Sequence, residues 1–162
     1  MSRKRCALLM IYALCFAIVF LAGRGWQNHR IREWDAAATQ VCALLCGHDF
    51  DGVEMDVAGK KIALYERVAQ DPFASVLTRR SVATVACTAG EMEIVQNFRD
   101  IRSFQGGIFF AVQIDWDGEW TGVYISSENL PAGLVEYAMP LKRRGHYWLR
   151  AVPGAGLHEE KA

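Results

Sequence analysis

The sequence has no surplus of charge to offer a polyanion. It holds 18 basic and 18 acidic residues, and three of the basic ones are Arg3, Lys4 and Arg5, so the rest of the chain is about three charges negative. Binding to DNA or RNA draws on displaced phosphate counterions and needs positive charge in excess. No nucleic-acid partner is expected. No Gly-x-Ser-x-Gly elbow is present, and no second cysteine pair accompanies the C-x-x-x-C spacing of Cys42 and Cys46. A serine hydrolase site and a structural zinc site therefore both lack their usual signature. Internal repeats and low-complexity stretches are absent as well. No cofactor and no metal are expected, and enzymatic activity is the less favoured reading.

What the chain does contain is one long uncharged run. Cys6 to Ala22 is seventeen residues without a strongly polar side chain, preceded by Arg3-Lys4-Arg5 and followed by Arg24. As a helix it covers roughly 25 Å, close to the roughly 30 Å of a bilayer core. Gly23 and snorkelling basic side chains supply the difference, and Trp26 falls where an interfacial aromatic belongs. A cleaved signal peptide is the competing reading. Its apolar region is normally shorter, and a cut after Gly23 would put Leu21 at the minus-three position in place of a small residue. An uncleaved signal-anchor is preferred. A buried core helix would show a polar face, and this run has none. The denser basic cluster lies at the N-terminus, which predicts a single-pass membrane protein with the N-terminus inside and the domain outside. In a bacterium that means an inner-membrane anchor and a periplasmic domain.

The expected organisation is an anchor at residues 1–25, one extracytoplasmic domain at 26–153 and a flexible tail at 154–162. Gly23-Arg24-Gly25 is expected to break the first helix. A second helix is expected from Asn28 to Cys46, with Ile31, Trp34, Ala38, Val41, Cys42 and Leu45 on one stripe. Asn28 reads as its N-cap and Gly47 as its stop. Strands follow at 53–57 and 61–68 around the Ala58-Gly59-Lys60 turn. A short helix is expected from Asp71-Pro72 to Arg80, then strands at 82–88 and 91–98 with Ala89-Gly90 as their turn. Asp117-Gly118 marks a hairpin between 108–116 and 120–126, in which Trp116 and Trp120 flank the turn. A last hairpin joins 134–142 to 146–152 through Arg143-Arg144-Gly145. Turns outnumber crossover helices, so the predicted fold is α+β: a transmembrane helix, then a small domain with one long amphipathic helix on a mainly antiparallel sheet.

Three features carry chemistry. Cys87 lies on the inward face of its strand, and the helix bearing Cys42 and Cys46 can bring either thiol to it. A bridge closing that loop is worth roughly 4 kcal/mol and is permitted outside the cytoplasm. Asp115-Trp116-Asp117-Gly118-Glu119 and Gly47-His48-Asp49-Phe50-Asp51 gather acids and a histidine, but they read as a hairpin turn and a solvated loop. Lys142-Arg143-Arg144 with His146 forms a basic hairpin tip. Trp116, Trp120, Arg143 and Arg144 are the candidate interaction surface. The expected function is a membrane-anchored binding or assembly protein with a protein partner, either an envelope-complex subunit or a toxin-neutralising immunity type. The alternative is a small tethered enzyme or ligand carrier with a cavity between helix and sheet.

Overall fold

A computed structural model of the chain describes residues 3–48, 50–67, 79–104, 106–114, 119–126, 130 and 138–151, with side chains described from Met10 onward except at 67, 79, 104 and 151. The fold is α+β: one long N-terminal helix and a small domain of antiparallel sheets. The chain divides into two units, Met1–Glu33 and Trp34–Ala162.

Helix α1 runs unbroken from Arg3 to Leu45. The break expected at Gly23-Arg24-Gly25 does not occur. Each glycine costs only about 1 kcal/mol against alanine in a helix, and no proline stands in the segment to block the hydrogen-bond ladder. In the first unit, the large apolar side chains from Met10 to Trp26 face outward all around the helix, and Ile31 is buried at 6% exposure. Met10, Phe16, Val19 and Leu21 are each at least two-thirds exposed. This helix is long and apolar enough to cross a membrane, and none of the apolar window is buried within the protein.

In the second unit, α1 ends at Leu45, and Gly47 takes a positive φ of 87° just beyond it. That is the left-handed position at which glycine commonly stops a helix. Strands β1 (Gly52–Asp56), β2 (Lys61–Arg67) and β3 (Arg79–Ala86) form one antiparallel sheet in that order. The β1–β2 turn spans residues 57–60, with Lys60 at φ 51°. The short helix expected up to Arg80 lies mostly outside the described residues, but Arg79 and Arg80 open β3 instead of closing a helix.

Helix α2 (Ala89–Val95) replaces the strand expected at 91–98. The reason is local. Thr88 and Glu91 form a capping box: Glu91 N donates to Thr88 Oγ1 at 3.3 Å, and Thr88 N donates to Glu91 Oε2 at 2.7 Å. Ala89-Gly90, which resembles a turn, is the first turn of that helix. Met92 and Val95, three residues apart, are its buried face.

The second sheet has the order β4 (Asp100–Phe104), β5 (Gly107–Ile114), β6 (Trp120–Ser126), β8 (His146–Ala151), β7 (Ala138–Pro140). Strand β4 was not anticipated in the sequence. The other four fall within a residue or two of the expected strands, or inside them. Side chains alternate cleanly. Phe110, Val123 and Trp148 stand in register on one face, while Phe109, Tyr124 and Tyr147 stand on the other. The first face joins the main core with Ala38, Val41 and Leu45 of α1, Ile62 and Leu64 of β2, and Met92 and Val95 of α2. Trp34, Phe98 and Phe110 meet in tilted ring contacts at 5.6 and 5.2 Å, the offset geometry that aromatic quadrupoles favour. The second face holds a smaller cluster around Phe109, Tyr124 and Leu149, flanked by Trp120, Leu130 and Tyr147. Gly122 is required at its place, since a Cβ there would collide with the Phe110 carbonyl.

Candidate functional site

The second half of α1 carries one residue that its apolar stripe does not explain. Asp35 lies four residues after Ile31 and three before Ala38, on the stripe itself, and is 9% exposed. A carboxylate so placed needs a partner, because an unpaired buried charge is strongly penalised. Its partner comes from the far end of the chain. His146, the first residue of β8, pairs across the sheet with Ile125, so its side chain emerges on the main-core face. His146 Nδ1 lies 2.6 Å from Asp35 Oδ1, and both side chains are nearly buried, at 11% and 12% exposure. The two atoms are within hydrogen-bond distance, and an ionised carboxylate there can only accept.

The hairpin turn before β8 adds a second contact. Gly145 has φ 78°, and a Cβ there would strike the Ser126 carbonyl, so this turn is glycine-dependent. It closes with Leu141 N donating to His146 O at 2.8 Å and His146 N donating to Arg143 O at 3.2 Å. Arg143 Nη1 then donates to Thr39 Oγ1 at 2.6 Å, and Thr39 Oγ1 donates to Asp35 O one helical turn back, also at 2.6 Å. Asp35, Thr39, Arg143 and His146 thus form one polar patch on two elements that are 104 to 111 residues apart in sequence.

An aspartate on Nδ1 orients a histidine as it does in general-base catalysis. The hydroxyl within the patch, however, is already committed twice, as donor to the helix backbone and as acceptor from Arg143. The arrangement therefore acts as a staple that fixes the β7–β8 hairpin to α1.

The expected site residues separate into several groups. Both Arg143 and Arg144 are exposed, and Arg143 reaches the helix through its bond to Thr39. Trp120 is half-buried against the second core cluster, and the Arg102 guanidinium lies 4.4 Å from its ring centroid. Arg102 is also held by Asp100 at 2.7 Å. Trp116 lies outside the described residues, as do Asp49, Asp115 and Asp117. His48 is exposed, and Glu119 pairs with Arg150. Among the described residues, no three His, Cys, Asp or Glu side chains gather as a metal site.

The bridge expected through Cys87 is not formed. Cys42, Cys46 and Cys87 are free thiols, and so is Cys15. Cys42 and Cys87 pack against the main core. Burial pushes the Cys42 thiol up, and neighbouring Cys46 adds to the shift; burial and then the Glu91 charge do the same for Cys87. A thiol held in its neutral form is a slow nucleophile for disulfide exchange.

Asp35 and Thr39 were missed in the sequence, although a signal existed: an acid on an otherwise apolar helical stripe. The partner was invisible there, because only the tertiary fold brings β8 to α1. No protein-family model, curated protein or solved structure matches this chain.

Proposed function

We propose that this is a single-pass membrane protein with its N-terminus inside, whose domain serves as a binding or assembly module on the outer side, periplasmic in a bacterium. One observation carries the reading. Among the described residues, the apolar half of α1 finds no cover, with Phe16 75% and Leu21 67% exposed, while the domain closes its own core. Uncovered hydrocarbon on that scale calls for lipid as its solvent, at about 25 cal/mol for each Å² removed from water.

The binding assignment rests on what fills the domain. Val41, Leu45, Phe98, Phe110 and Val123 occupy the space between α1 and the strands, where a carrier would keep its ligand. The polar patch that does form is spent on holding a hairpin. A rigid module of this kind presents loops and turn tips to a protein partner, such as another envelope subunit or a toxin. In-membrane crosslinking of the full chain from Arg144, followed by mass spectrometry, tests this reading. A defined protein adduct is the expected result. Recovery of uncrosslinked monomer alone under conditions that capture control complexes would overturn it.

A further inference from the structure

Beyond the apolar run, α1 carries three arginines within nine residues: Arg24, Arg30 and Arg32. We propose that they form a collar that binds anionic phospholipid headgroups at the C-terminal end of the membrane span. The inference rests on the single-pass reading and adds a lipid specificity to it.

Charge and placement point to lipid. The nine residues hold no acid, and Glu33, which follows them, lies 3.8 Å from His29. No carboxylate among the described residues pairs with the three arginines. At 100° per residue they project in three well-separated directions around the helix axis. Ile31 is buried at 6% exposure, so the face it occupies is covered, while all three arginines stand exposed on the remaining faces. Two of the guanidiniums are drawn back toward the apolar run. Arg24 lies 5.6 Å from the Phe20 ring centroid, and Arg30 lies 5.3 Å from that of Trp26. Helical side chains lean toward the N-terminus, so each charge sits about one turn nearer the span than its own Cα. The ring occupies the face of the guanidinium, and the N–H edges suit two oxygens of one phosphate. Trp26, 65% exposed, supplies the amphipathic ring typical of the headgroup level.

The test uses the full chain in phosphatidylcholine vesicles doped with spin-labelled phosphatidylglycerol or, separately, with spin-labelled phosphatidylcholine. The ratio of their association constants is the readout. The native chain should prefer phosphatidylglycerol, and Arg24→Gln, Arg30→Gln and Arg32→Gln should each lower the ratio about fivefold at low salt. The triple lysine variant should recover part of it. A Lys60→Gln/Lys142→Gln control should leave it unchanged. An unaltered ratio in the triple glutamine variant overturns the inference, and so does a ratio that responds only to Arg3, Lys4 and Arg5. A photocrosslinker at Trp26 that captures polypeptide in place of lipid does the same. Carbonate washing of the same vesicles separates the two levels. Retention without lipid preference ends the lipid inference alone, whereas release into the wash ends the anchor reading along with it.

Discussion

Helix α1 contains two stretches with the same backbone and opposite side-chain environments. From Met10 to Leu21 the large apolar residues are all more than half exposed, and Phe16 and Phe20 stack on each other. From Trp34 to Leu45 burial is periodic, with Ala38, Val41 and Leu45 at 0–1% exposure and Ala36, Gln40 and Ala43 facing out. The hydrogen-bond ladder is indifferent to this change. Pattern decides the medium: apolar on every side suits lipid, and apolar on one stripe suits a protein core. Composition follows the same division, since Met10–Leu21 holds no charged or strongly polar residue and Trp34–Leu45 holds Asp35, Thr39 and Gln40.

The sharpest way to break the comparison is to charge the first stretch. Leu14→Arg with Ile18→Arg should cost about 3 kcal/mol per residue at the centre of a span. The full chain should then move from the carbonate-resistant pellet to the wash, with the domain's thermal transition unchanged. Removing core from the second unit should do the reverse. Phe110→Ala should cost about 4 kcal/mol of domain stability in urea unfolding and leave membrane retention intact. If both variants lose both properties, the two stretches are not independent.

Smaller changes sharpen the account of the second unit. Asp35→Ala should cost about 3 kcal/mol, because it leaves His146 nearly buried without its acceptor. Adding His146→Ala should cost less than the two single changes combined, by at least about 1 kcal/mol. Strict additivity would show that the pair contributes nothing as a pair. Thr88→Ala should cost about 1 kcal/mol through the lost cap. Hydrogen bonds from the Thr88 backbone and side chain hold the Glu91 carboxyl below its usual range. A lowered carboxyl stabilises the fold above its unfolded-state pKa and loses that contribution as pH falls through the lowered value. The deficit of Thr88→Ala should therefore shrink on acidification, which stability curves at neutral and acid pH would show.

Legibility in the sequence followed the length of the pattern. The apolar run, the Trp34–Leu45 stripe and the hairpin strands β5, β6 and β8 were readable because each repeats its period several times. The Ala89–Val95 segment failed because seven residues fit a strand and a helix about equally well, and the deciding signal was the Thr88–Glu91 box. Gly23 and Gly25 were overread as a stop, since glycine weakens a helix without ending it. Trp120 looked available in the sequence, but Arg102 and the second core cluster already engage it.

The sequence by itself determined where a helix is long and apolar enough to cross a membrane and where strands would turn, because both depend on nearby residues along the chain. Only the tertiary structure decided that Asp35 meets His146 and that Arg143 reaches Thr39. Those contacts join residues more than a hundred positions apart, and no local periodicity carries information over that distance. Packing α1 against the second sheet creates the low-dielectric site, and that burial makes a partner for Asp35 obligatory.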